Sequence, residues 1–172
     1  MLDGSTSKPL ETYFAPAERA TPVQLKRDIS TIDQHPVMGG LMQLIRGLLV
    51  ILNEQRQIVA INQTLLDSLG LDSSALGLRL GEAIQCPHAC TMPGGCGTSE
   101  ACQTCGAVIA MMTALTTGEP AQRDCIVSSE RDGHSIDYHF QVQCERLILD
   151  NHPFILVMLT DITEARRLED HL

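Results

Sequence analysis

The chain has no tryptophan, and aromatic residues make up only 3% of its 172 positions. Side chains on which nucleic-acid bases stack are therefore scarce. A basic run is missing as well. The 12 Lys and Arg are scattered against 21 Asp and Glu, giving a formal net charge of −9 and a pI near 5.0. Such a surface repels phosphate backbones, which excludes nucleic acid as the natural partner. The longest apolar stretches, such as Gly47 to Leu52, fall far short of the ~20 residues that a membrane-spanning helix needs. The opening MLDGSTSKPLETYFAPAERA lacks the apolar centre of a signal peptide. These absences together predict a soluble, cytoplasmic protein with no membrane insertion, in which thiols stay reduced. The sequence also lacks a Walker or dinucleotide fingerprint, a Ser-His-Asp pattern and a haem-attaching C-x-x-C-H. With no convergent acid–base set, the chain is expected not to be an enzyme.

Cysteine, by contrast, is concentrated. Five of the seven cysteines, Cys86, Cys90, Cys96, Cys102 and Cys105, lie in the stretch CPHACTMPGGCGTSEACQTCG. Packing alone would be served as well by Ala or Val, so what these positions share is thiolate chemistry. Thr98, Ser99 and Glu100 look like a helix start, followed by Val108, Ile109, Met112 and Leu115 at helical spacing and by Gly118 as a stop. That pattern predicts Cys102 and Cys105 one turn apart on one helix face, near the positive end of the helix dipole. Pro93-Gly94-Gly95-Cys96-Gly97 predicts an irregular loop whose backbone can approach a sulfur-rich ligand. Three readings fit these thiols. The first is an iron–sulfur cluster held by four of them. The second is structural zinc on four cysteines, or on three plus His88; only one C-x-x-C knuckle is present, where zinc ribbons usually bring two. The third is a thiol switch without metal or a disulfide framework, and the lack of any sign of an oxidising compartment counts against stable disulfides. Against all three stands buried, inert cysteine.

The rest of the chain alternates short elements. Residues 1–21, broken by Pro9 and Pro16, read as a mobile or loosely docked leader. Thr21-Pro22 opens a helix to about Asp33, and a second apolar helix spans Val37 to Leu44, so 22–45 form a helical extension. That extension either caps the domain or pairs with the same helices of a second chain. Gly47 to Asn53 and Arg56 to Ile61 read as a hairpin of strands, and Asn62 caps a helix over Gln63 to Leu69. After the cysteine run and the long helix come three strands: Ala121 to Ser129, Ile136 to Glu145 and Phe154 to Leu159. In the middle one, Ile136, Tyr138, Phe140, Val142 and Cys144 fall on one side. Cys125 and Cys144 read as core residues, not ligands. His88 reads as a loop histidine bonded to a carbonyl, and Met92, Met111 and Met112 as core filling. Glu164 to Leu172 starts a charged helix. The class is α+β, with a five-stranded antiparallel sheet and helices on one face.

This order resembles a PAS sensor domain. The residues that carry the likeness are GLLVILNEQRQIVAIN with the following LLDSLGL, then TTGEP, and the closing FILVMLTDITEARRLED, where Asp161-Ile162-Thr163 leads into the charged helix. The likeness runs from about Met42 to the C-terminus and places the domain at 46–163, with a cysteine-rich insert at 86–106 and the start of an output helix at 164–172. Cys86-x-His88, Gly95-Cys96-Gly97 and Cys102-x-x-Cys105-Gly106 further resemble a cysteine-rich subgroup that stands before histidine kinases and other modules of bacterial two-component signalling. This resemblance implies a redox or oxygen sensor with an iron–sulfur cluster, of the four-iron type, on Cys86, Cys96, Cys102 and Cys105. Cys90 is then a spare thiol and zinc the alternative metal. It also implies a signalling partner such as a histidine kinase or response regulator, while the N-terminal helices, with Ile162, Ala165 and Leu168 suiting the start of a coiled coil, predict a homodimer.

Overall fold

The computed structural model describes residues 8–172. Helix α1, Pro22–Asp33, is opened by a capping box: Gln24 N–H donates to Thr21 Oγ1 (3.2 Å) and Thr21 N–H to Gln24 Oε1 (2.9 Å). Helix α2, Pro36–Leu44, follows after His35, whose ring nitrogen caps it. Strands β1 (Leu48–Asn53) and β2 (Ile58–Ile61) form the first hairpin. Asn62 then caps α3, Gln63–Leu69, which ends at the left-handed Gly70. A single turn of helix, α4 (Leu80–Ala83), leads to the cysteine segment, and α5 spans Gly106–Thr117. Strands β3 (Ala121–Arg131), β4 (His134–Leu149) and β5 (His152–Asp161) precede the terminal helix α6, Thr163–Asp170.

All strand pairs are antiparallel, in the order β2-β1-β5-β4-β3. The chain therefore returns β5 to the centre, beside β1. Alternation along the strands divides the core in two. Val50, Leu52, Ile58, Ile155 and Val157 face α3, α4 and α5, where Leu65, Leu80, Ala110, Met111 and Ala114 complete the main cluster. Ile51, Val59 and Phe154 point the other way and meet Ile32 of α1, with Leu25, Ile29, Met38 and Met42 partly buried around them. The extension thus caps the domain, one of its two expected placements: α1 and α2 cover the second face of β1, β2 and β5, while α3, α4 and α5 keep to the other. The physical reason is that every residue of β1 after Leu48 is buried, so both sides of the strand need an apolar partner.

Of the two readings of the leader, part of it follows the docked one. Residues 1–7 lie outside the described residues, but 12–20 are docked. Tyr13 N–H donates to the Thr98 carbonyl and Ala15 N–H to that of Gly97, both at 2.9 Å. Ala15 and Ala17 are buried beneath them. At the other end, Thr163 Oγ1 accepts from His139 N–H (3.0 Å), and Arg166 of α6 pairs with Asp124 of β3 at 2.5 Å.

Candidate metal centre

The predicted helix through Cys102 and Cys105 is two pieces. Glu100–Thr104 is a 3₁₀ turn that contains Cys102; Cys105 is extended (φ −73°, ψ 114°) and stands at the N-cap of α5. Cys102 and Cys105 are therefore not on one α-helical face. The break lies where Gly106 meets β3: a Cβ on this glycine would fall 1.9 Å from the Asp124 carbonyl oxygen. The main chain can come that close only without a side chain there, and the approach redirects the chain between the two cysteines.

Cys86, Cys96, Cys102 and Cys105 nevertheless line one cavity of about 70 Å³, under the start of α5 and against the sheet. Leu80, Met111, Phe140 and Leu159 make its wall apolar, and His88 borders it, in place of the carbonyl-bonded loop histidine expected. Of the three methionines weighed, Met111 alone lines this cavity. Cys90 does not; it is exposed at the end of the 3₁₀ turn Pro87–Cys90. Cys125 is buried in β3 as expected, yet it also lines the cavity, with Sγ 3.8 Å from Cys105 Sγ. Sequence reasoning read Cys125 as core only. No spacing in the sequence marks it, because its neighbour Cys105 comes from another element.

The electrostatics differ from thiol to thiol. Burial pushes the Cys96 thiol up to about 12 and raises Cys86 as well. Cys105 is drawn below the ordinary thiol range, first by the hydrogen bond with Cys125 and then by the N–H groups of Ala107 and Val108 at the start of α5. Cys125 is correspondingly held as the protonated partner. Ser99 Oγ is 3.1 Å from Cys102 Sγ.

Two arginines that sequence reasoning passed over hold the loop around Cys96. Arg79, 1% exposed, donates to the carbonyls of Gln55 (3.0 Å), Gly94 (2.8 Å) and Glu18 (2.8 Å). Arg56 donates to those of Pro16 (3.0 Å) and Cys96 (3.2 Å). Burial lowers the Arg79 pKa to about 10, so it remains a cation at neutral pH. Arg19 of the leader pairs with Glu82 of α4. Buried cations beside an all-sulfur donor set favour a bound group of negative charge.

That donor set fits a thiolate-held metal group. Among the described residues no three His, Cys, Asp or Glu side chains are gathered tightly enough to hold one metal ion. A tetrahedral zinc with Zn–S of ~2.3 Å needs its sulfurs about 3.8 Å apart. Here Cys86, Cys96, Cys102 and Cys105 share the cavity wall with apolar side chains.

No protein-family model matches the chain, and no curated protein matches it. Solved structures do. The PAS domain of nitrogen regulation protein NR(II) from Vibrio parahaemolyticus aligns with a TM-score of 0.53 at 12% identity, over 74% of this chain and 100% of that one. A PAS domain from Colwellia psychrerythraea gives 0.50 at 15% identity, over 73% and 94%. The RsLOV d2 variant gives 0.50 at 13% identity, over 81% and 69%. Likeness at such identities concerns backbone architecture alone, and the strand order and helix placement described above agree with it. The chain has the PAS fold.

Proposed function

We propose that this chain is a sensory module, not an enzyme, which reads redox state or oxygen through an iron–sulfur cluster held by Cys86, Cys96, Cys102 and Cys105. The observation that carries the reading is the convergence of four cysteines, spread over twenty positions of sequence, on one apolar cavity. When bound, the cluster supplies one-electron redox chemistry and sensitivity to oxygen. The chain's own residues do the rest. Arg79 and Arg56 fix the carbonyls of the Cys96 loop, and their charge offsets that of the thiolates. The apolar wall limits water. Cys105 ties the site to the first turn of α5, which rests on β3, β4 and β5. Strand β5 runs on into α6, the route by which a change would reach a signalling partner such as a histidine kinase or response regulator.

A structural zinc on the same thiols is the second reading; the single C-x-x-C knuckle, Cys102 to Cys105, ranks it behind the cluster. Protein purified without oxygen should be brown, with absorbance near about 400 nm from sulfur-to-iron charge transfer. Cys96→Ser, Cys102→Ser and Cys105→Ser should each lose the colour and the iron, while Cys90→Ser and Cys144→Ser keep both. One zinc and no iron in anaerobic protein would replace the sensing reading with a structural metal site.

A further inference from the structure

Cys125 takes no part in the ligand set proposed above, yet it belongs to the same wall. Its Sγ lies 3.8 Å from that of Cys105 and the two are hydrogen-bonded. The backbones that carry them are in contact one residue away, where Gly106 lies against the Asp124 carbonyl. Cys105 stands at the N-cap of α5, and Cys125 is fixed in β3 opposite Phe140. Both thiols are free and both open on the cavity. A disulfide needs its sulfurs at about 2.0 Å, with Cα atoms roughly 4.4–6.8 Å apart. Bond formation asks the two sulfurs to close from 3.8 Å to about 2.0 Å by side-chain rotation, beside backbones that already touch.

From this juxtaposition we infer that Cys105 and Cys125 are a reversible dithiol pair, a peroxide-reactive modification site that locks the start of α5 to β3 whenever Cys105 carries no metal. The reaction has two steps. The Cys105 sulfur attacks one oxygen of a hydroperoxide; the O–O bond breaks, the departing oxygen takes the Cys105 thiol proton and leaves as alcohol or water, and Cys105 becomes a sulfenic acid. The Cys125 sulfur then attacks the Cys105 sulfur; the S–S bond forms and the S–OH bond breaks. Water leaves with the thiol proton. The peroxide takes up two electrons and the two thiols lose them. A dithiol reductant reverses the change by exchange.

Half-buried Cys105 is the thiol that meets the oxidant, and the cavity admits a molecule the size of hydrogen peroxide. Buried Cys125 is the resolving thiol.

The test uses the full chain, with iron and zinc measured before treatment. Metal-free protein is exposed to hydrogen peroxide, free thiols are alkylated, and peptides are mapped by mass spectrometry. A Cys105–Cys125 linked peptide, absent before treatment and removed by dithiothreitol, is the expected result. Cys125→Ala should lose the link and accumulate oxidised, unlinked Cys105, while Cys144→Ala keeps the link. Hydrogen exchange at Gly106–Ile109 should slow at least several-fold on oxidation. Linkage of Cys105 to Cys86, Cys96 or Cys102 in place of Cys125 would overturn the pair. So would Cys105 and Cys125 both staying reduced in protein whose circular dichroism is native. The metal content of untreated protein reports separately on the cluster, so either reading can fail while the other stands.

Discussion

Cys144 separates the effect of burial on a thiol from any effect of metal. It is 2% exposed, lies in β4 among apolar side chains, and has its pKa pushed up to about 12 by burial alone. An unfolded thiol loses its proton near pH 9.0. Between these values the folded chain holds a proton that the unfolded chain has released, so the contribution to stability is whole below pH 9 and falls as pH rises toward 12. Urea midpoints taken from pH 8 to about pH 11 should therefore decline, and Cys144→Val should make the decline shallower with little change at pH 7. An unchanged slope in the variant would mean that the loss arises elsewhere. At this scale the sequence was informative about some residues and mute about others. The clustering of Cys86, Cys96, Cys102 and Cys105 could be read directly, because thiols at such density have few other uses. Arg56 and Arg79 could not, because the carbonyls that receive them come from segments forty and sixty residues away, and lone arginines carry no spacing signal. Cys125 was legible as buried but not as part of the site, since its neighbour Cys105 arrives from another element.

Among the elements, α5 turns on a single position. Gly106 is its first residue, and a methyl group there would meet the Asp124 carbonyl oxygen at 1.9 Å and its carbon at 2.9 Å. Both obstacles are backbone, so the helix must move rather than the neighbour. Gly106→Ala is expected to cost roughly 1–3 kcal/mol by overpacking and to draw Cys105 away from Cys125. Chemical denaturation checks the first effect. A lower yield of the peroxide-induced link checks the second. Stability equal to that of the parent would show that the start of α5 is free to relax. Propensity and periodicity located α3 at Gln63–Leu69, with the Asn62 cap and Gly70 stop in place. They also found the end of α5 at left-handed Gly118. They misplaced its beginning, because Thr98, Ser99 and Glu100 do start a helical turn, but a 3₁₀ one that stops at Cys105. The close approach to β3 decides that boundary, and it is a tertiary contact that no local pattern announces.

For the whole molecule, the five-stranded antiparallel sheet was legible because each strand alternates or is wholly apolar, and the turns between strands carry their expected residues. The docking of α1 and α2 on the second face was not, because an amphipathic helix looks the same whether it covers its own sheet or a neighbour's. The structure leaves part of that choice open to a second copy. Helix α2 has no buried residue, and Val37 and Leu44 are 56% and 79% exposed. We propose a homodimer through α2 and α6, where Leu168 is exposed too. Sedimentation velocity should give a dimer for the parent and a monomer for Leu44→Glu; a parent that stays monomeric at high concentration would remove this assembly. One further consequence follows from Asp124. Its carbonyl oxygen faces Gly106, next in sequence to the cavity-lining Cys105, while its carboxylate holds Arg166 of α6 at 2.5 Å. A displacement at the start of α5 therefore has one residue to cross before it reaches the last helix. Both side chains of that pair are nearly half exposed to solvent, and charges so placed are screened within a Debye length of about 10 Å at 0.1 M salt. Ionic strength should thus set how firmly the last helix follows the cavity, with dilute buffer coupling the two and concentrated salt letting them drift apart.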